Sequence, residues 1–152
     1  MEIVRLVKGN EEKALEAAIF FGEDEYPEVA ANLTSQDVAP FLADENNYLI
    51  AAYVEDKLAG FVWAVRMQRL DQNRAMMFIF SIDVFPEYQR RGIGRALINE
   101  LKKVCQAGNY LEMFVVTNDS TPQGVALYKA TGAVRPVQDD IVYVYDGKGL
   151  EI

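Results

Sequence analysis

Apolar side chains in the first third of the chain recur with the spacing of one strand and two helices. Residues 2–7 predict a short strand, and residues 11–21 carry apolar positions at helical spacing. Pro27 lies in the acidic turn that follows and cannot continue this helix. A second helix is predicted over residues 36–43.

The pattern changes to strands in the middle of the chain. Residues 48–54 and 58–65 predict two strands, and the three residues between them are a usual length for a hairpin connection. Residues 76–84 form a third, strongly apolar segment, for which we also predict a strand.

Helices and strands alternate in the last third. Residues 94–107 predict the clearest helix, because their apolar side chains line one face. A strand over residues 111–117, a helix over 123–131 and a final strand over 141–145 follow. The order indicates a mixed α/β domain in which the helix over 94–107 connects two parallel strands.

Composition favours one domain over residues 1–152. The chain has 51% hydrophobic residues and contains neither repeats nor a long linker. Its N-terminus shows no targeting segment and no apolar run is long enough to span a membrane, so we expect a cytoplasmic protein.

The residue counts exclude several kinds of chemistry. With no histidine, the chain cannot use imidazole as a general base or a histidine-ligated metal. Its single cysteine, Cys105, excludes an internal disulfide and a four-cysteine zinc site. The net charge of −8 repels nucleic acid and favours cationic partners.

The junction after residue 85 carries the sharpest signal. A strand ends there, and a turn with Gly92 and Gly94 opens the long helix. A helix start presents unpaired N–H groups and a partial positive charge, which together favour an anion. Three full positive charges lie in the same segment, on Arg90, Arg91 and Arg95.

This turn predicts a phosphate or pyrophosphate site, with a tight turn and solvated arginines as the alternative. The sequence lacks the Gly-Lys-Ser/Thr of a P-loop. Leu97 stands where a dinucleotide-binding turn would have its third small residue, which argues against that class.

Residues 89–94, Gln-Arg-Arg-Gly-Ile-Gly, resemble the Q/R-x-x-G-x-G/A signature of the GNAT superfamily of acyl-CoA-dependent N-acyltransferases. Residues 126–133 resemble the second conserved block of that superfamily, in the right order along the chain. The resemblance implies an α/β fold whose mostly antiparallel sheet has six to seven strands, a splayed parallel pair and about four helices.

The resemblance also implies where acetyl-CoA binds. The pyrophosphate would meet the backbone of the signature segment, namely Gln89, Arg90, Arg91, Gly92, Ile93, Gly94, Arg95 and Ala96. The two glycines would provide steric clearance. The pantetheine arm would pair with the strand backbone near Ile82 and Val84.

Further coenzyme contacts are expected near the second block. Tyr128 occupies the place of a tyrosine that can give a proton to the leaving thiolate, with core packing as the alternative role. Thr121 stands where the family often has a coenzyme-binding asparagine. Asn118 could take over that contact only if the loop differs.

Direct transfer to an amine needs a base and no covalent intermediate. Asp83 ends the central strand and shares a strand face with Ser81, which makes it our first candidate for the base. The alternatives are a tyrosine or a bound water as the base, with only a hydrogen-bonding role for Asp83. We expect Cys105 to pack in the core, and the N–H near Val84 to stabilise the oxyanion.

Acidic residues suggest a cationic acceptor. Three groups could frame it: Glu23, Asp24 and Glu25 with Tyr26; Asp119; and Asp139 and Asp140 with Asp146. Each run alone is more typical of a solvated loop than of a binding site. Ser81 is a further candidate contact for the acceptor.

Within the superfamily, the chain most resembles the GNAT-type aminoglycoside 3-N-acetyltransferases, although Ser81 aligns with their catalytic aspartate. This implies an aminoglycoside acceptor. Another polyamine, a metabolite or peptide amine, and a non-catalytic coenzyme A sensor remain alternatives. No metal, nucleic acid or membrane partner is expected, and a homodimer is one possible assembly.

Overall fold

The computed structural model describes residues 1–136, 138, 141–143 and 145–151. Its five strands are β1 (Glu2–Leu6), β2 (Asn47–Val54), β3 (Lys57–Met67), β4 (Met76–Val84) and β5 (Glu112–Val115). Its five α-helices are α1 (Glu11–Gly22), α2 (Pro27–Ala30), α3 (Ser35–Ala43), α4 (Ile93–Ala107) and α5 (Pro122–Ala130). Two 3-10 turns cover Pro86–Tyr88 and Gly147–Leu150.

Local sequence explains several element boundaries. Glu55 and Asp56 both adopt positive φ (50° and 61°), which gives the turn between β2 and β3 the twist that a tight hairpin needs. At the start of α3, the Asp37 carboxylate accepts hydrogen bonds of 2.8 Å from the N–H and the hydroxyl of Thr34. This capping contact begins α3 after Thr34.

The strands form one sheet in the order β1-β2-β3-β4-β5. Neighbours are antiparallel except β4 and β5, which are parallel and pair from Met76 with Glu112 to Ile79 with Val115. The helix α4 connects these two strands, as predicted. Because β5 ends at Val115, the second half of β4 continues without a partner on that side.

Helices cover both faces of the sheet. The larger apolar cluster packs α4 against β2, β3 and β4, with Leu97 and Leu101 fully buried. The second cluster packs α1 and α3 against the opposite face and is centred on Phe61. None of the helices in the described ranges combines the length and apolarity that a membrane crossing needs.

The mixed sheet and its parallel pair confirm the fold class, whereas the predicted number of strands is wrong. The described residues form five strands rather than six to seven, and the fifth helix, α2, is too short to show a helical period. The predicted strand over 141–145 is wrong for the described residues Ile141, Val142, Tyr143 and Tyr145, which lie outside any strand and are exposed. An alternating pattern shows that a segment can form a strand, but not that an edge of the sheet is available to pair with it.

Candidate functional site

The start of α4 has the backbone geometry of a turn that can bind an anion. Gly92 precedes the helix with φ of 79°, and Arg90, two residues earlier, has φ of 63°. The Ala96 N–H bonds to the Gly92 carbonyl, and no side chain caps the helix. The amides of the first turn therefore point outward from the helix end, as they do where proteins bind phosphates.

The two glycines of this turn have different roles. Nothing lies within 4 Å of the place where a Gly92 side chain would stand, so the positive φ is what favours glycine there. A Cβ on Gly94 would lie 3.0 Å from Cδ2 of Leu127. Gly94 thus allows α4 to pack closely on α5. The sequence alone predicts only that it provides clearance for a ligand.

Side chains of the signature segment also hold the surrounding structure. The Gln89 amide donates to the Val84 carbonyl at 3.0 Å and ties the loop to the end of β4. The Arg95 guanidinium donates to the Ala130 carbonyl at 3.2 Å, at the C-terminal end of α5. Arg91 lies over the ring of Tyr88, 5.5 Å from its centroid, while Arg90 is exposed.

The strand β4 leads directly into this segment and bears the candidate base. Ser81 Oγ and Asp83 Oδ2 are 2.6 Å apart, which confirms that the two side chains share a face. Burial raises the pKa of Asp83 above its ordinary value, and the hydrogen bond from Ser81 opposes that rise. The side chains of Ile82 and Val84 pack against the α4 side, which leaves only their backbone available to a ligand.

Tyr128 lies close enough to Asp83 for their charges to interact. Burial raises the pKa of Tyr128, and the negative charge of Asp83 raises it further. The phenol therefore stays protonated at neutral pH. Its ring also packs against the larger apolar cluster, so the packing role coexists with access to Asp83.

Aromatic rings cluster beside this part of β4, and the hydrophobic pattern did not predict them. Trp63 and Phe80 have ring centroids 4.1 Å apart, and Phe21 of α1 lies 5.3 Å from Trp63. The register between β3 and β4 shifts next to Trp63, which places Phe80 outside the regular alternation. A period-two pattern cannot locate such a bulge.

Only part of the predicted acidic frame comes together. The charge of Glu25, and more weakly that of Asp146, raises the pKa of Tyr26, so these groups are neighbours. Glu23 and Asp24 are at the exposed end of α1. Asp119 lies 3.5 Å from Arg135 in an ion pair. The predicted Asp139 and Asp140 lie outside the described residues.

The loop before α5 forms a closed turn of its own. The Thr121 hydroxyl donates to the Asn118 carbonyl at 2.9 Å and lies 3.0 Å from the Thr117 hydroxyl. The Asn118 side chain accepts a hydrogen bond of 2.9 Å from the Ser120 N–H. Both candidate coenzyme contacts therefore lie in one turn next to the start of α5.

Nothing in the described residues supports catalysis by a nucleophilic thiol or by a bound metal ion. Cys105 packs against the larger apolar cluster, and burial raises the pKa of its thiol. Among the residues that the structure describes, no three His, Cys, Asp or Glu side chains are grouped so that they could hold a metal ion.

Comparison with known proteins decides the family. Residues 13–133 match the acetyltransferase (GNAT) family. The chain belongs to the GNAT family. As such it is an acetyl-CoA-dependent N-acetyltransferase, and relatives named as acetyltransferases agree.

The relatives of this GNAT chain differ in their named substrates. The N-alpha-acetyltransferase RimI of Mycobacterium tuberculosis is 33% identical over 122 residues, which are 80% of this chain and 69% of RimI. A mycothiol acetyltransferase of an Arthrobacter species is 28% identical over 134 residues. Those residues cover 85% of this chain but only 41% of the mycothiol enzyme.

A solved structure supports the GNAT fold over nearly the whole chain. The aminoglycoside acetyltransferase meta-AAC0020, from an uncultured soil metagenomic sample and in complex with sisomicin, has a TM-score of 0.80 and 20% sequence identity. The match covers 96% of this chain and 95% of that one. At this identity the likeness establishes the fold alone.

Proposed function

We propose that this GNAT domain transfers the acetyl group of acetyl-CoA to a primary amine of a small cationic molecule, with the 3-amine of an aminoglycoside as the first candidate acceptor. The observation that carries the proposal is the position of Asp83 in the half of β4 that β5 leaves unpaired, shortly before the uncapped start of α4. The charge of Asp83 also acts on the pKa of Tyr128, which supports these two side chains as the proposed base and acid.

The start of α4 suits the diphosphate of acetyl-CoA. The uncapped amides of Ile93, Gly94 and Arg95 provide donors, and exposed Arg90 and Arg91 provide charge. The unpaired edge of β4 offers backbone groups that an extended pantetheine arm can pair with, as an added strand would. The turn formed by residues 117–121 is the proposed second contact.

Asp83 and Tyr128 can account for every proton that the proposed reaction moves. The amine nitrogen attacks the thioester carbonyl, the new C–N bond forms, and the C–S bond breaks. Asp83 takes the proton from the amine, directly or through a water, and Tyr128 gives a proton to the thiolate. Tyr128 regains its proton from Asp83 or solvent. The backbone N–H near Val84 is the proposed oxyanion donor.

Negative charge at the rim supports a cationic acceptor. The charges of Glu25 and, more weakly, of Asp146 raise the pKa of Tyr26, and the whole chain carries a net charge of −8. Such a potential concentrates cations at the site. The structural neighbour solved with sisomicin supports an aminoglycoside, whereas the RimI relative favours the N-terminal amine of a protein as the second candidate.

An amine panel tests the proposal. Release of free thiol from acetyl-CoA is measured with sisomicin, with spermidine and with a short peptide bearing a free N-terminus. We expect the fastest release with sisomicin, and the Tyr128→Phe variant should lower its turnover about 100-fold. The control is Tyr53→Phe, because the buried Tyr53 hydroxyl has no hydrogen-bond partner in the described part of the chain.

Two results would contradict the proposal. A peptide preferred over both polyamines would favour protein N-terminal acetylation. Binding of acetyl-CoA without thiol release for any amine would favour a coenzyme A sensor.

A further inference from the structure

The helix that carries Tyr128, α5, has few contacts that fix its position. None of its residues is fully buried, and no side chain caps its N-terminal end, where Pro122 opens the helix. Its packing on α4 brings Leu127 close to Gly94. The position of Tyr128 therefore depends strongly on how the C-terminal end of α5 is held.

That C-terminal end is closed by hydrogen bonds that converge on Tyr128. Gly132 has φ of 96°, and the Ala133 N–H donates to the Tyr128 carbonyl at 2.9 Å. The hydroxyl of the buried Thr131 lies 2.8 Å from the Leu127 carbonyl and 3.1 Å from the Tyr128 carbonyl. This is a common way for a helix to end at a glycine. The backbone of Tyr128 is thus part of the same closed turn as Thr131.

Helix α4 brings two cations to this closed turn. The partly buried Lys102 ammonium donates to the Thr131 carbonyl, and the Arg95 guanidinium donates to the Ala130 carbonyl. A Cβ on Gly132 would lie 3.9 Å from Lys102 Nζ, so the ammonium lies against the turn itself. A positive charge is favourable at the C-terminal end of a helix. None of the carboxylates in the described part of the chain lies within ion-pair distance of Lys102.

A continuous path of hydrogen bonds thereby joins α4 to Tyr128. It runs from the Lys102 ammonium to the Thr131 carbonyl, and from the Thr131 hydroxyl to the Tyr128 carbonyl. Displacement of a reacting group by about 1 Å can lower a rate about 100-fold, so a small movement of this turn matters. The next residue, Lys103, is exposed and pairs with Glu100 at 2.9 Å instead.

We propose that Lys102 is a positioning residue for Tyr128: it holds the last turn of α5 against α4 and so fixes the place of the phenol relative to Asp83. The lysine takes no part in the chemistry itself. The catalytic consequence rests on the proposed function, in which Tyr128 is the acid. The effect of Lys102 on the position of the Tyr128 ring does not depend on that function.

Two adjacent lysines provide a kinetic test. Lys102→Met keeps an unbranched side chain but removes the charge and the donor. We expect it to lower kcat with the best acceptor of the amine panel about tenfold, while the affinity for acetyl-CoA changes less than about twofold in calorimetry. The matched control, Lys103→Met, should leave both unchanged. Circular dichroism measures the folded fraction, and Lys102→Gln, which retains a neutral donor, replaces Lys102→Met if that variant folds poorly.

A double-mutant cycle shows whether Lys102 acts through Tyr128. In the Tyr128→Phe background, Lys102→Met should lower kcat less than about twofold, because the group that Lys102 positions is already absent. A general structural role would lower kcat by the same factor in both backgrounds. That equal loss would overturn the proposal, as would an unchanged kcat in Lys102→Met when Tyr128→Phe is impaired.

The titration of the Tyr128 phenol tests its position without any acetyl transfer. Fluorine NMR follows protein labelled with fluorotyrosine, and the resonance that Tyr128→Phe removes identifies Tyr128. Burial and the charge of Asp83 both raise the pKa of Tyr128, so in folded Lys102→Met we expect that pKa to fall toward its ordinary value. Loss of the Lys102 charge alone would raise the pKa, so a fall indicates displacement of the ring.

The same titration separates this inference from the proposed function. A Tyr128 pKa that is unchanged or higher in Lys102→Met would overturn the positioning role. A fall in that pKa, combined with full turnover in Tyr128→Phe, would support the positioning of the ring by Lys102 and refute Tyr128 as the acid.

Discussion

At the scale of single residues, burial of the ionised Asp83 carboxylate lowers the stability of the folded protein, and its proposed role as the base explains why a carboxylate lies there. Its side chain is half-buried, it has Ser81 as a neutral partner, and burial raises its pKa. A raised pKa means that the folded state prefers the protonated carboxyl. The stability that this protonation provides is complete below the carboxyl's ordinary pKa and is lost as pH rises through the raised one.

Replacing Asp83 by asparagine should therefore separate stability from activity. We expect Asp83→Asn to unfold at a higher temperature than wild type at pH 8, with a smaller difference at pH 4, because asparagine has no charge to bury. Turnover at pH 7.5 should fall about 10²–10⁴-fold. Thermal melts at both pH values and steady-state thiol release measure the two effects; an active variant that melts below wild type at pH 8 would refute this view of Asp83.

Ser81 changes the pKa of the same carboxyl, so substitutions of Ser81 provide a second test of Asp83 as the base. The Ser81 hydroxyl stabilises the ionised form of Asp83 and so lowers its pKa. Ser81→Ala should move the acidic limb of the kcat/KM profile to higher pH while the rate on the alkaline plateau changes less. Ser81→Thr retains a hydroxyl and serves as the control. A limb that stays in place, or that moves to lower pH, is incompatible with Asp83 as the base.

At the scale of elements, the junction between β4 and α4 combines two glycines with separable functions. Gly92 supplies a backbone conformation, and Gly94 supplies room for Leu127. Substitution by alanine at each position should have different consequences, since only the first changes the amide-bearing loop itself.

We expect Gly92→Ala to weaken acetyl-CoA binding about tenfold, because a positive φ costs a side-chain-bearing residue about 1–2 kcal/mol. Gly94→Ala should instead lower the free energy of unfolding by about 1–3 kcal/mol, as its Cβ meets Leu127. Calorimetry with acetyl-CoA and urea unfolding distinguish the two. The reverse assignment, with Gly94→Ala affecting only binding, would show that Gly94 faces the ligand after all.

Most element boundaries were predictable, for physical reasons that also explain the exceptions. Helix α4 and strands β2 to β4 have strong periodicity, so their bounds fell within two residues of the prediction. The segment over 141–145 has the pattern of a strand, but strand formation depends on an available edge. Helix α2 is a single turn that begins at Pro27, which is too short for any period to register.

The candidate site was predictable only in part. Its place at the end of the central strand pointed to Asp83, and the resemblance to the GNAT superfamily pointed to Tyr128 and the signature segment. The proximity of Asp83 to Tyr128 could be found only from the fold. The charge of Asp146 acts on the pKa of Tyr26 from a distant part of the chain, and no local pattern encodes that effect. The aromatic rings around Phe80 depend on a bulge, which shifts the alternation without leaving a mark in the sequence.

At the scale of the whole molecule, the sheet separates two kinds of surface. Helices α4 and α5 pack on one face and bring an arginine-rich turn to the end of β4, although the chain as a whole is negatively charged. Helices α1 and α3 cover the other face and lead into the acidic residues around Tyr26. The anionic coenzyme and the cationic acceptor would then approach β4 from regions of opposite charge.

The most direct test of the account follows the backbone amides during a titration with acetyl-CoA. In ¹H–¹⁵N spectra, we expect the largest shifts in the amides of residues 91–96, and small shifts in α3, which lies on the other face. Saturation of the protein by acetyl-CoA while the amides of residues 91–96 remain unshifted would contradict the claim that this helix start holds the diphosphate.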